Sequence, residues 1–290
     1  MRKNLYRTLG FLAPFSKLFL SDRIRVLAYH KVPDSNTFEK QIAYLHSNYN
    51  IICVEDLLNY FEAKIQLPKN PLLITFDDGD ISVFENGLPV LRKHDLPSCL
   101  FIITKLIDST EDVWIKRVEA QEMKNGKSYE EARRIVKRLK TISNAERLKE
   151  MQKYSSVKKK QLTIENLQEM QENKMFVANH THTHPMLDKC TSQEIKEELQ
   201  NSKKVFEELN LQGFNIFAYP NGNASEKTAA ILNEWGMKLV FLFDHKINKS
   251  NPNPLNISRI MVDTDTEINE FKAKVSGVHP VLFNLQNSSN

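Results

Sequence analysis

The sequence predicts an α/β fold in which helices cover a parallel sheet. Short runs that are almost wholly apolar or β-branched alternate with longer segments of helical spacing, as expected of strands buried on both faces. The chain of 290 residues is long enough for one α/β barrel or for two smaller domains. Its 41% hydrophobic and 26% charged residues are typical of a globular protein and exclude a disordered or fibrous one.

The apolar runs predict seven or eight strands, at residues 23–32, 50–54, 72–76, 99–104, 175–178, 215–219, 238–243 and 257–262. Helices are predicted between them, and no internal repeat or Gly/Ser-rich linker divides the chain. The alternation alone is compatible with a barrel or a doubly wound sheet. A single barrel-like domain explains the whole pattern with the fewest assumptions.

A charged segment at about residues 112–160 interrupts this alternation. It is rich in Lys, Arg and Glu, has no strand pattern and carries apolar residues at helical spacing. We interpret it as a helical insertion with a solvated basic face; its length would also suit a substrate groove or a subunit contact. The predicted organisation is a lead-in helix over residues 1–22, a barrel over 23–280 and a C-terminal tail over 281–290.

Charge and cysteine usage narrow the cellular setting. The net charge of +4 is small and indicates a solvated face, with an anionic partner such as a membrane surface as the alternative. Cys53, Cys99 and Cys190 are far apart and show no CxxC spacing, so neither a disulfide framework nor a structural zinc site is indicated. These features favour a reducing compartment.

The N-terminal segment superficially resembles a secretory signal, with a basic start and apolar residues. Pro14 and Lys17 interrupt it, and no small-x-small cleavage site follows. We expect an amphipathic helix that packs on the body or lies on a membrane surface. The predicted location is therefore cytoplasmic, with peripheral membrane association through this segment as an option.

Two adjacent carboxylates follow the third predicted strand. Asp77 and Asp78 come directly after residues 72–76 and before Gly79. Active sites of parallel α/β folds lie at the carboxyl ends of strands. Neighbouring carboxylates repel each other unless a cation or a shared proton relieves them, so the pair indicates a metal site. A solvated Asp-Gly turn is the alternative.

A histidine cluster about a hundred residues later supplies nitrogen ligands. His180 and His184 are four residues apart, so a helical turn or a tight loop can bring them together, whereas His182 is expected to be structural. Two imidazoles and one carboxylate make a three-ligand divalent site with an open position for water. His30 ends the first predicted strand at the same active face; a structural role is its alternative.

Three segments carry a family resemblance: Thr-Phe-Asp-Asp-Gly (75–79), His-Thr-His-Thr-His-Pro (180–185) and Phe-Ala-Tyr-Pro-Asn-Gly (217–222). With these motifs in this order, the chain resembles the polysaccharide deacetylase family, also called the NodB-homology or carbohydrate esterase family 4 group. The resemblance extends from about residue 25 to residue 277. It implies a distorted (β/α)7 TIM-like barrel and a metal-dependent hydrolase.

By position, the resemblance implies that Asp77 is the general base and that Asp78, His180 and His184 are the metal ligands. The oxyanion of the reaction would lie between the metal and the backbone N–H of Asn221. Zinc is the first choice of cofactor for this ligand set, and cobalt, nickel or manganese would also fit.

Two departures from the family pattern concern supporting residues. The third motif has Ala218 where many members have an arginine that orients the base. Arg259, at the start of the last predicted strand, is expected to supply that guanidinium; a salt bridge or structural role is the alternative. The late Leu-x-His motif with the general acid is not evident, because His279 is followed by Pro280 and lacks that context.

The predicted function is removal of acetyl groups from N-acetylated sugars of a glycan or glycan precursor. A non-catalytic carbohydrate-binding or assembly protein on the same fold is the alternative, against which the intact ligand set argues. No P-loop, Gly-x-Ser-x-Gly or Gly-x-Gly-x-x-Gly motif is present, and basic residues are not interleaved with aromatics as in nucleic-acid-binding proteins. The expected partner is a polysaccharide, an oligosaccharide or a lipid-linked sugar.

Overall fold

Strands and helices alternate along the chain in the computed structural model, which describes residues 19–155 and 158–277. Within these residues the strands are β1 (Arg25–Tyr29), β2 (Asn50–Ile51), β3 (Pro71–Phe76), β4 (Ser98–Ile102), β5 (Met175–Asn179), β6 (Gly213–Ala218), β7 (Leu239–Phe241) and β8 (Ile260–Met261).

Helices follow most of the strands. Those of the described chain are α1 (Ser35–Asn48), α2 (Val54–Phe61), α3 (Leu88–Lys93), α4 (Trp114–Lys124), α5 (Tyr129–Leu139), α6 (Asn144–Met151), α7 (Ile164–Glu172), α8 (Ser192–Glu208), α9 (Glu226–Glu234) and α10 (Ile268–Ser276). Side-chain caps fix several starts. At α8, Thr191 Oγ1 accepts the N–H of Glu194 while the Glu194 carboxylate accepts the N–H of Thr191.

The parallel strands form a closed ring. The sheet order is β7, β6, β5, β4, β3, β1, β8. The segment around β8 joins the two ends, because Ile257 bridges to Phe241 of β7 while β8 itself pairs with β1. The predicted distorted (β/α)7 barrel is therefore confirmed.

The distortion lies at the amino end of β3. Here β2 pairs with the start of β3, through Asn50 with Pro71, whereas β4 pairs with its end, through Thr75 with Cys99 and Phe76 with Leu100. The first half of β4 is thus paired only with the carboxyl end of β3. The strand end that leads into Asp77 and Asp78 is therefore paired with β4.

Side chains of β3 alternate between the helices and the barrel interior, because successive residues of a strand point to opposite faces. Leu72, Ile74 and Phe76 belong to the core between sheet and helices. Leu73 belongs to the inner core, which also contains Phe101. The inner series continues through Thr75 to Asp77, so the first carboxylate lies at the mouth of the barrel.

The helix predicted between the strands at residues 72–76 and 99–104 is divided in the structure. A π-helical turn, Val83–Gly87, precedes α3. Pro89 has no N–H and its ring would collide with the carbonyl of Glu85 in a regular α-helix, so the wider turn accommodates it.

The residues predicted as a helical insertion contain α4, α5 and α6. These helices have their own small core, with Trp114, Val118, Val136 and Leu139 among its buried members. The predicted lead-in helix falls largely, and the predicted C-terminal tail wholly, outside the described residues. None of the helices within 19–155 and 158–277 combines the length and apolar character needed to cross a bilayer.

Candidate active site

The carboxyl ends of β3 and β5 bring three potential metal ligands together. Asp78 follows β3 and His180 follows β5. Asp78 Oδ1 lies 3.4 Å from Nε2 of His180 and 3.4 Å from Nε2 of His184. One ligand atom from each residue lies within 4.8 Å of the other two. The three residues predicted to hold the metal therefore meet in the fold.

Hydrogen bonding around this cluster fits a bound cation. The Nδ1 atom of His180 lies 2.8 Å from the carbonyl oxygen of Ala218. That nitrogen must carry the proton, which leaves the Nε2 lone pair facing Asp78. Asp78 Oδ1 is buried and has no hydrogen-bond partner among the described residues. Two nitrogens and one carboxylate oxygen suit zinc and its first-row neighbours, so the residues fit a divalent transition metal.

Burial and neighbouring charges favour the protonation states that metal binding needs at His184 and Asp78, a neutral imidazole and an ionised carboxylate. Burial lowers the pKa of His184 to about 3, which keeps this imidazole neutral. Burial opposes ionisation of Asp78, but the neighbouring His184 and His180 outweigh it and lower the pKa of the carboxyl. Burial also acts against a charge on His180, yet the charges of Asp77 and Asp78 raise its pKa. Metal binding would displace that proton.

A strained loop, and not a helical turn, brings the two histidines together. His184 has φ +60° and Thr181 has φ +70°, values that non-glycine residues seldom adopt unless surrounding contacts hold them. The His184 N–H donates to Thr181 Oγ1 at 3.0 Å. Its carbonyl oxygen accepts a 2.9 Å hydrogen bond from Nε1 of Trp114. The backbone of this ligand is thus held from both sides.

Glu198 of α8 anchors the middle of the histidine loop. Its Oε2 accepts the N–H groups of His182 and Thr183 at 2.9 and 2.8 Å, and its Oε1 accepts the Thr183 hydroxyl at 2.6 Å. His182 Nδ1 lies 2.9 Å from Thr104 Oγ1. Within the described residues His182 is not part of the three-residue cluster, in keeping with the structural role predicted for it.

Asp77 forms a buried two-point ion pair with Arg259. The Nη1 and Nη2 atoms donate to Oδ1 and Oδ2 at 2.6 and 2.8 Å. Arg259 Nε also donates to the carbonyl oxygen of Leu242 at 2.8 Å, which fixes the guanidinium plane. Burial opposes ionisation of Asp77, but the charge of Arg259 outweighs it and lowers the pKa. Asp77 is therefore an oriented carboxylate that is not shared with the metal cluster.

The loop after β6 carries Asn221 in a left-handed conformation, with φ +59° and ψ +4°. Gly222 follows with φ +75°, and a Cβ there would lie 2.4 Å from Cβ of Phe243, so only glycine fits. The Asn221 side chain accepts a 2.6 Å hydrogen bond from Lys140 Nζ. The bond between His180 and Ala218 ties the strand before this loop to a candidate metal ligand.

A cavity of about 710 Å³ opens beside Asp78. His30 and Asp263 line it on the barrel side, and Lys116 and Arg133 line it on the insertion side. The His30 ring packs edge-on against Phe243, with ring centroids 5.6 Å apart. The end of β1 thus contributes a titratable group to the cavity. His279, the other histidine considered from sequence, lies outside the described residues.

Comparison with known proteins gives this site a family context. The family model described as "Polysaccharide deacetylase" matches residues 64–240, more than half of the chain. The chain belongs to the polysaccharide deacetylase family. The match includes the carboxylate pair, the histidine loop and Asn221, so the resemblance drawn from the motifs is confirmed.

Individual relatives are distant in sequence. The chain is 22% identical over 225 residues to YxkH of Bacillus subtilis (strain 168), which covers 75% of this chain and 63% of that protein. It is 27% identical over 270 residues to the poly-beta-1,6-N-acetyl-D-glucosamine N-deacetylase of Staphylococcus aureus (strain MRSA252), which covers 89% of this chain and 76% of that protein. The chain therefore spans less than two thirds of YxkH.

Solved structures share the fold. Streptococcus pyogenes deacetylase PplD, in complex with acetate, superimposes with a TM-score of 0.63 at 19% identity, over 87% of this chain and 98% of that one. IcaB from Ammonifex degensii gives a TM-score of 0.61 at 21% identity, over 88% of this chain and 97% of that one. The barrel of this polysaccharide deacetylase family member is thus a known architecture.

Supporting contacts to the site had no motif by which sequence reasoning might find them. Trp114 and Glu198 hold the histidine loop from 70 and 15 residues away, and Lys140 reaches Asn221 from 81 residues away. These residues lie in the insertion and on α8, and none of them follows the end of a strand. The one available signal was composition: Trp114 is one of only 2 tryptophans and opens the charged segment.

Proposed function

We propose that this chain is a metal-dependent hydrolase that removes the acetyl group from an N-acetylated sugar in a glycan. The observation that carries the proposal is the division of labour between two adjacent carboxylates. Asp78 lies in the ligand cluster, while Asp77 is paired with Arg259 outside it. Amide hydrolysis at a metal requires both a ligand set and a separate base, and in this proposal the two carboxylates divide those roles.

Asp78, His180 and His184 would hold the ion. Zinc is the proposed metal, with cobalt, nickel and manganese as substitutes, because the donor set is two nitrogens and one oxygen. When bound, a divalent ion supplies Lewis acidity to the acetamide carbonyl and to the attacking water.

The remaining steps belong to the chain's own side chains. Asp77 takes a proton from the attacking water, and Arg259 keeps that carboxylate ionised and oriented. The Asn221 N–H donates to the oxygen that becomes negative when water adds to the carbonyl carbon. His30, which lines the same cavity as Asp78, donates a proton to the sugar nitrogen as the C–N bond breaks. The products are acetate and a free amine.

The substrate class follows from the cavity and from the relatives. The cavity beside Asp78 is lined by charged side chains such as Lys116 and Asp263 together with apolar ones such as Leu106 and Met261, as suits a sugar ring with polar substituents and apolar C–H groups. The Staphylococcus aureus relative is named for poly-beta-1,6-N-acetyl-D-glucosamine. We infer that the substrate contains N-acetylglucosamine, presented as a polysaccharide, an oligosaccharide or a lipid-linked sugar.

The direct test is acetate release from β-1,6-linked N-acetylglucosamine oligomers, with each candidate metal in turn. Wild-type protein is expected to release acetate. Asp77→Asn is expected to abolish release while retaining metal, and Asp78→Asn to lose the metal, as elemental analysis would show. If oligomers bind but no acetate appears with any metal, the activity proposed here is wrong and a carbohydrate-binding role replaces it.

The cellular location stays a prediction. We propose cytoplasmic residence with peripheral membrane contact through the N-terminal segment. The three cysteines are free thiols in the fold, as suits a reducing compartment. Fractionation of cells expressing the full chain, with and without a salt wash of the membranes, tests this. Recovery of the protein from the medium would contradict it.

A further inference from the structure

The ammonium group of Lys140, from the insertion, contacts the loop after β6 that carries Asn221. It follows α5 directly, and its Nζ donates to Asn221 Oδ1 at 2.6 Å. In the part of the chain that the structure describes, this is the one hydrogen bond of the ammonium group, which has no salt bridge. A lysine ammonium carries three N–H donors, so two remain for a ligand. The side chain is only half-buried and is therefore reachable.

Three cations that line the cavity on the side of the insertion are each paired with a carboxylate. Lys116 and Arg133 both bind Glu119, at 2.8 and 2.7 Å. Lys159 binds Asp80 at 2.6 Å. Lys140 has only the neutral oxygen of Asn221. Holding a partly desolvated cation without a carboxylate costs free energy that an ion pair would offset, so its position needs another explanation.

Lys140 interacts electrostatically with Asp78 in addition to its hydrogen bond to Asn221. Partial burial lowers the pKa of Lys140, Arg133 acts in the same direction, and the charge of Asp78 acts against both. Lys140 in turn is one of the charges that lower the pKa of His184. The ammonium thus interacts with Asp78 and with Asn221, the two residues that would flank the reacting carbonyl.

We propose that Lys140 is a catalytic residue whose ammonium donates a hydrogen bond to the oxygen that becomes negative during hydrolysis of the acetamide. The proposal rests on the proposed function and extends it. The oxygen gains charge as water adds to the carbonyl carbon and loses it as the C–N bond breaks. Lys140 stays protonated throughout and transfers no proton, so the atoms and charges of the reaction are unchanged.

The expected size of the effect follows from donors of the same kind. Loss of one preorganised side-chain donor to such an oxygen costs about 100- to 1,000-fold in kcat. Lysine is flexible and its charge is partly screened, so we expect Lys140→Met to lower kcat by about 10- to 100-fold, with a much smaller change in KM. Lys140→Arg should recover part of the loss, because it keeps a cation at this position.

The matched control is Lys137→Met. Lys137 lies on the same helix and is exposed, so the variant makes the same change of charge and shape without touching the site. Its kcat is expected to equal that of the wild type. An equal loss of activity in both variants would overturn the proposal, because it would point to a general effect of net charge or of the helix.

A second variant separates catalysis from simple support of the loop. Asn221→Gly removes the side chain that Lys140 holds, keeps the backbone N–H and tolerates the left-handed conformation. If Lys140 acts only through this side chain, Lys140→Met, Asn221→Gly and the double variant will show the same kcat, which overturns the proposal. We expect Lys140→Met to cost more, and to cost nearly as much again in the Asn221→Gly background.

Acetate binding gives a readout that needs no turnover. Calorimetry with metal-loaded protein is expected to show about 10-fold weaker acetate binding in Lys140→Met than in the wild type, since the product presents the same oxygen to the same donor. If wild-type protein releases no acetate from any sugar, the proposed function fails, and acetate affinity alone decides the role of Lys140. Equal affinity in both proteins overturns it.

Discussion

The barrel and the helical insertion reach the same site in different ways. The barrel contributes short side chains at strand ends: Asp77, Asp78 and His180 lie within two residues of β3 or β5. The insertion contributes long side chains from a separate small core, namely Trp114 to the His184 carbonyl and Lys140 to the Asn221 amide. In the proposed reaction the barrel would thus supply the reacting side chains, while the insertion holds two of the loops around them.

The strongest test of this contrast removes a proposed metal ligand from the loop after β5. His184→Ala is expected to abolish metal binding at micromolar concentrations and with it all acetate release, because a site of three protein ligands cannot lose one and keep its affinity. The matched control is His182→Ala, two residues away in the same loop. It should retain a full equivalent of metal by elemental analysis. Similar metal content in the two variants would contradict the ligand assignment.

The next effect concerns the ion pair that closes the barrel. Arg259→Gln leaves Asp77 buried without its partner and is expected to cost about 3–5 kcal/mol in the free energy of unfolding, measured in urea. The double variant Asp77→Asn/Arg259→Gln should recover much of this loss, since no unpaired charge remains. If the double variant is no more stable than Arg259→Gln, the cost does not arise from the orphaned carboxylate.

This ion pair also predicts a pH dependence. The pKa of Asp77 is lowered in the folded state, so the pair contributes stability fully above the unfolded value of about 3.9 and loses it as pH falls toward the folded value. The stability difference between wild type and Arg259→Gln should therefore be largest above about pH 5 and shrink in acid. A difference that grows as pH falls would contradict this sign.

A smaller effect is expected from the insertion. Trp114→Phe removes the N–H that holds the His184 carbonyl but keeps a ring against which Arg147 can stack. We expect metal affinity to fall by about 10-fold, the lower end for loss of a contact behind a ligand. The control is Trp235→Phe, at the other tryptophan of the chain, which should leave metal affinity unchanged. Equal metal affinity in the wild type and in both variants would mean that the insertion acts on substrate binding and not on metal binding.

These two classes of contact also mark what the sequence could predict. Strand ends were predictable because short, almost wholly apolar runs locate them and because carboxylates and histidines stand out against such runs. Arg259 was expected as the partner of Asp77 only because Ala218 left a gap in the motif. The two-point geometry of that pair was not predictable, nor was the left-handed loop at His184, since both depend on contacts between distant segments.

The insertion illustrates the limit most clearly. Its helices were predicted from apolar spacing, but nothing in that spacing says which side chains turn toward the barrel. Trp114 and Lys140 both lie in the charged segment, whose composition is otherwise typical of a solvated surface. The packing of these charged helices against the barrel depends on tertiary contacts, so no local sequence pattern predicts it.

The position of Arg259 would make the proposed activity conditional on completion of the chain's folding. It lies in the segment that joins β7 to β1, nearly two hundred residues after the carboxylate it neutralises. A nascent or truncated chain that lacks residues 257–261 lacks both this closing segment and the guanidinium that orients Asp77. We therefore expect partly made or clipped molecules to show none of the proposed hydrolysis, which would begin only in finished ones.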